Sequence, residues 1–213
     1  DSPTGCRVWI PTDDGLLPGL LEMPRRPRGI VAFAHGSGSS RHSPRNQEVA
    51  RALNAAGFGT LLFDLLTDPE AADRANVFDV MLLAGRLSSA IDWVGNSADV
   101  ADLPIGLFGA STGAAAALVA SVGAPIGAVV SRGGRPDLAG SRLPQVTAPV
   151  LLIVGSRDTA LLDLTNTAQK RLSGPCEVSI VRGAGHLFEE PGALSEVADL
   201  AIGWFGRWLA PSG

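Results

Sequence analysis

Residues 104–120 read PIGLFGASTGAAAALVA, an apolar run that passes straight into a helical one with a serine at the bend. Ile105, Leu107 and Phe108 predict a strand, and the four consecutive alanines Ala114–Ala117 predict a helix lying close to it. Between them stand Gly109, Ala110, Ser111, Thr112 and Gly113, a G-x-S-x-G pattern. At a strand-to-helix bend this pattern exposes a serine hydroxyl at the top of a sheet, and small neighbours leave room for the strained serine backbone. With 26 glycines in 213 residues the pattern decides nothing alone, so its surroundings carry the reading.

From residue 29 onward apolar runs alternate with helical patterns. Strands are predicted at 29–35, 59–66, 104–110, 127–132, 148–155 and 176–183, and helices at 44–56, 76–95, 112–122, 159–173 and 193–209. The strands are continuously apolar rather than alternating, as in a parallel sheet covered by helices on both faces. The first 28 residues differ: the runs 6–11 and 17–24 flank Asp13-Asp14-Gly15, which predicts an antiparallel hairpin on the sheet edge. The expectation is one α/β domain over 1–213, built on a mostly parallel sheet of about eight strands.

Open parallel sheets bind ligands beyond the C-terminal ends of their strands. After 104–110 comes Ser111; after 148–155 comes Asp158, closing "GSRD"; after 176–183 comes His186, closing "GAGH". After 29–35 comes the small-residue loop His35-Gly36-Ser37-Gly38-Ser39-Ser40. A serine hydroxyl needs a base to attack. His186 suits that role near neutral pH, and Asp158 suits fixing its tautomer. The backbone N–H groups of Thr112 and Ser37 are the candidate oxyanion donors.

In these residues the chain resembles the α/β-hydrolase superfamily, in particular its small dienelactone hydrolase-like branch. The resemblance rests on His35-Gly36-Ser37-Gly38, the 109–113 pattern, Asp158 and His186, and covers roughly 29–210. It implies a carboxylic ester hydrolase working through an acyl-serine. Dienelactone hydrolase itself carries cysteine at the bend where this chain has Ser111, which favours a serine esterase over enol-lactone chemistry. Hydrolases of this fold often insert a lid after the strand matching 127–132. Only residues 133–147 lie there, so an uncapped, shallow site preferring short acyl esters is expected. Arg132 closes that strand and is a candidate clamp for a substrate carboxylate, or else a surface arginine paired with Asp137.

Rival readings are specific. Asp158 precedes a helical pattern and suits an N-cap, with Asp163 as a fallback acid. His35 suits bracing the oxyanion loop, and His42 suits the surface. The stretch from 29 to 64 imitates a dinucleotide-binding unit with Asp64 as the ribose acid, but Arg41 stands where the third glycine belongs. A non-catalytic hydrolase fold used for binding is a further alternative, as are lactone hydrolysis and acyl transfer.

The net charge of −4, without any basic run, speaks against nucleic-acid binding. No run approaches the ~18 apolar residues that span a bilayer, and the first residues show no signal-peptide pattern, although the chain begins at Asp1 without an initiator methionine. A cytoplasmic enzyme acting on a small-molecule ester, as monomer or homodimer and without metal or other cofactor, is the resulting expectation. Cys6 belongs to the edge hairpin and Cys176 to the last strand. Neighbouring strands are about 4.8 Å apart, so the two are expected too distant to form a disulfide.

Overall fold

The computed structural model describes residues 4–98 and 100–209. The edge hairpin is β1 (Thr4–Thr12) and β2 (Gly15–Met23), antiparallel with Ile10 opposite Leu17. Alternation puts Ile10 and Leu17 into the core and leaves Trp9 and Leu16 exposed. The Thr12 hydroxyl donates to the Gly15 carbonyl at 2.9 Å and closes the turn.

The chain then runs β3 (Ile30–Ala34), α1 (Pro44–Ala55), β4 (Gly59–Phe63), two single-turn helices α2 (Asp68–Ala71) and α3 (Arg74–Val77), and α4 (Val80–Asn96). It continues with β5 (Ile105–Ala110), α5 (Thr112–Ala120), β6 (Ile126–Arg132), a 3-10 stretch at Pro136–Gln145, β7 (Val150–Gly155), α6 (Thr159–Gln169), β8 (Cys176–Val181) and α7 (Ala193–Trp208). The strand order is β1-β2-β4-β3-β5-β6-β7-β8, parallel from β4 to β8 and antiparallel at the hairpin. The eight-stranded, mostly parallel sheet is the expected architecture. Only the 3-10 stretch separates β6 from β7, and it packs on α5.

Three predicted boundaries are corrected. The strand expected over 59–66 ends at Phe63, the helix expected over 159–173 ends at Gln169, and the helix expected over 76–95 starts at Val80, because Asp79 caps it through a 3.0 Å bond from the Leu82 N–H to its carboxylate. Val77 belongs to a separate turn capped by Asp73.

The strands feed two cores. Ile30, Ala32, Leu107, Val150 and Leu152 meet α4 and α5 on one face. Val31, Phe33, Phe108, Leu151 and Ile153 meet α1 and α7 on the other. The even burial on both faces explains the unbroken apolar runs. Cys6 and Cys176 are free thiols on β1 and β8, the opposite edges of the sheet. Among the described residues no helix is long and apolar enough to cross a membrane.

Candidate active site

Because β3 to β8 run parallel, the loops after them emerge at one rim, and the site is assembled there. Ser111 has φ 52° and ψ −121°, a backbone conformation that costs a non-glycine residue about 1–3 kcal/mol. It occupies the N-cap position of α5, yet its hydroxyl makes no capping bond. A serine that does not cap its helix leaves Oγ available to the cavity. The bend is pinned from β6: the Ser111 N–H donates to the Arg132 carbonyl at 3.3 Å, and the Arg135 N–H donates to the Ser111 carbonyl at 3.1 Å.

The two glycines of the pattern are required by close approach. A Cβ on Gly109 would lie 2.4 Å from Ala114 Cα, and one on Gly113 would lie 2.2 Å from the Ala34 carbonyl oxygen. Helix α5 therefore presses on β5 and β3 as no larger residue permits.

The loops after β7 and β8 are laced together. Ser156 N–H donates to Val181 O at 3.0 Å, Arg157 N–H to Ala184 O at 3.0 Å, and Gly183 N–H to Ser156 Oγ at 2.8 Å. Gly155 permits this, since a Cβ there would sit 2.4 Å from the Ala184 carbonyl oxygen. The lacing brings His186 Nδ1 within 2.8 Å of Asp158 Oδ2. The other Asp158 oxygen accepts the Leu161 N–H at 3.4 Å, so the N-cap reading and the histidine-partner reading both hold. Asp163 lies inside α6 and makes no such contact with His186.

Ser111 and His186 border one cavity of about 260 Å³ with Gly36, Ser37, Arg45, Asn46, Arg132 and Gly133. A base and a hydroxyl bordering one cavity are the two groups that general-base-assisted attack requires. The Thr112 N–H is the first orphan donor of α5. The Ser37 N–H is already engaged, donating to Thr112 Oγ1 at 3.0 Å.

His35 stands behind the loop as a brace. Its Nε2 accepts the Leu65 N–H at 3.0 Å, which leaves Nδ1 to donate to the Gly36 carbonyl at 3.0 Å. Burial lowers its pKa, against smaller opposing effects of the Gly36 bond and the Asp64 charge. Asp64 is taken by Arg41, whose guanidinium and backbone N–H both bond its carboxylate. It is therefore not presented to a ribose. His42 lies outside the cavity-lining set.

Arg132 does reach the cavity but is not a surface residue. It is 6% exposed, its Nη2 donates to Asn46 Oδ1 at 3.0 Å, and its Nε has no partner. The suggested Arg132–Asp137 pair is not formed; Asp137 bonds Arg135 through both of its oxygens, at 2.8 and 2.7 Å. Burial first, then the Arg45 charge, pushes the Arg132 guanidinium down to about 10, which leaves it charged at neutral pH. Arg45 is a site residue that the strand-end argument missed, because it sits in the first turn of α1.

The sheet order and its rim are those of the α/β-hydrolase fold, and comparison with known proteins agrees. The chain belongs to the α/β-hydrolase family, whose domain model matches residues 27–199. It is 48% identical to the dienelactone hydrolase of Anabaena variabilis, with a TM-score of 0.95 over 98% of this chain and all of that one. Est1E of Butyrivibrio proteoclasticus shares the fold, with a TM-score of 0.77 at 15% identity over 94% of this chain and 99% of that one. A Mycobacterium tuberculosis protein whose name proposes a phosphoribosyl transferase is 59% identical over 197 residues, 92% of this chain. The match covers 44% of that protein, so the chain spans less than half the length of this relative.

Proposed function

We propose that the chain is a serine hydrolase that cleaves carboxylic esters of small molecules through an acyl-serine. The observation that carries the reading is the convergence of three features: an uncapped Ser111 hydroxyl at a strained bend, His186 across the same cavity, and Asp158 on the far nitrogen of that histidine. His186 takes the Ser111 proton as Oγ attacks the carbonyl carbon, and later returns it to the leaving alcohol. Asp158 fixes the tautomer that leaves Nε2 as the base and stabilises the imidazolium.

The Thr112 and Ser37 N–H groups receive the oxyanion. The Ser37 N–H now serves the neutral Thr112 hydroxyl. A full negative charge outcompetes that acceptor, because charge-assisted hydrogen bonds are about twice as strong as neutral ones. The same chemistry applies to a lactone, or to transfer onto an alcohol in place of water.

Arg132 and Arg45 border the nucleophile cavity, and Arg132 has no carboxylate partner among the described residues. A buried unpaired guanidinium is costly, which favours an anionic group on the substrate as its counter-charge. The transferase activity in the mycobacterial relative's name is not carried over to this chain, whose match covers 44% of that protein.

The test is covalent. A fluorophosphonate probe should add once, on the peptide containing Ser111, and the His186→Ala substitution should slow the labelling severely. A label on another serine, or none, would reject the reading.

A further inference from the structure

A second cavity, of about 270 Å³, adjoins the first. Leu65, Leu66, Val77 and Leu83 form its apolar side, and Gly36, Ser37 and Ser39 border both cavities. The loop that offers the Ser37 N–H is thus the partition between them.

The chemistry of the proposed reaction decides which part of an ester enters which side. His186 must hand its proton to the leaving alcohol, so the alcohol lies in the cavity that His186 borders. The acyl substituent leaves the carbonyl carbon on the side away from the alcohol, and the cavity that shares Gly36, Ser37 and Ser39 with the nucleophile's own is the apolar space beside it. No arginine lines that cavity; two carboxylates do, Asp64, whose charge Arg41 answers, and Asp68, and their presence disfavours an anionic group there. We propose that the apolar cavity is the acyl subsite and takes a short, uncharged aliphatic acyl group, while the anionic end of the substrate belongs to the alcohol. The assignment rests on the serine-hydrolase reading above.

Its size limits the chain. Sites for drug-sized ligands run from about 300 to 1,000 Å³, and this one falls just below them. Its wall is braced in advance. The Thr67 N–H and hydroxyl bond the Glu70 carboxylate at 2.8 and 3.0 Å, and Arg86 of α4 holds the other oxygen. The Asn76 amide bonds the Glu70 carbonyl at 3.2 Å, which ties α3 to α2. The turn carrying Val77 is thereby tied to α2, and α2 to α4.

The experiment compares kcat/KM for p-nitrophenyl acetate, butyrate and octanoate, with the alcohol held constant. Each methylene that enters the cavity should raise kcat/KM about fourfold, so butyrate should exceed acetate by about 15-fold, and the gain per methylene should fall away between butyrate and octanoate as the cavity fills. Val77→Trp, at a half-buried position, should fill the cavity and bring the butyrate-to-acetate ratio to about one. Leu66→Ala should move the optimum to longer chains. A folded Val77→Trp with the wild-type ratio overturns the acyl assignment alone. Absence of any Ser111-dependent ester turnover overturns both the assignment and the reading on which it rests.

Discussion

Asp158 serves two donors at once: Oδ2 faces His186 Nδ1 at 2.8 Å, and Oδ1 accepts the Leu161 N–H at 3.4 Å. One carboxylate therefore starts α6 and orients the histidine. The two jobs can be separated, because asparagine caps a helix about as well as aspartate but cannot stabilise an imidazolium. Asp158→Asn should lower kcat by about 10³–10⁴-fold with a Tm close to wild type. Asp158→Ala should lose activity similarly and also about 1 kcal/mol of stability. Wild-type kcat in Asp158→Asn would assign the residue to the helix alone.

Glycines of this chain should respond with opposite sign to the same substitution. A methyl on Gly113 meets the Ala34 and His35 carbonyl oxygens at 2.2 and 2.5 Å, whereas Gly203, exposed within α7, has nothing within 4 Å. Gly113→Ala should destabilise by about 3 kcal/mol or more, since backbone rather than a flexible side chain must yield. Gly203→Ala should stabilise by about 0.5–1 kcal/mol by improving helix propensity. Denaturant midpoints with unchanged m-values check both.

The His35 brace makes stability depend on acid. The folded state keeps this ring neutral, with its pKa below the ordinary 6.5, so the unfolded chain binds the proton more readily. Its stabilising contribution is complete above pH 6.5 and is lost as pH falls toward the lowered folded value. The loss approaches about 1.4 kcal/mol per pH unit for one proton. His35→Gln should be less stable at pH 7.5 and show a shallower decline between pH 6.5 and 5. Parallel declines would show that His35 does not titrate with unfolding.

Much of this was legible because burial on both sheet faces writes itself as unbroken apolar runs, and because each functional loop directly follows such a run. Ser111, Asp158 and His186 stand at strand ends, so order along the chain was enough to bring their loops to one rim. Arg45 was not legible, because a helix start carries no comparable marker and its neighbour Arg132 lies 87 positions away. The turns over 68–77 were missed because one turn is too short to show a period; they left Val77 looking like the first residue of α4. Arg132 and Arg135 are both near Asp137 in sequence, and sequence distance alone does not show that only Arg135 reaches it.

The two arginines of the nucleophile cavity make a charge-selective prediction. Arg132→Ala should raise KM about 10-fold or more for an ester whose alcohol carries a carboxylate or phosphate, and change KM for a neutral ester far less. Arg132→Lys should recover only part of the effect, because an ammonium cannot reproduce the planar two-point grip. Equal changes for charged and neutral esters would make Arg132 a packing residue held by Asn46.

The proposed chemistry begins at the Ser111 hydroxyl, and steady-state hydrolysis of p-nitrophenyl butyrate by Ser111→Ala tests it most directly. The substitution removes one oxygen from a side chain that makes no capping bond, so the thermal melt should stay near wild type. The prediction is a fall in kcat of about 10⁵–10⁶-fold, to a residue of rate supplied by binding and oxyanion stabilisation alone. A folded Ser111→Ala protein that retains wild-type turnover would contradict it.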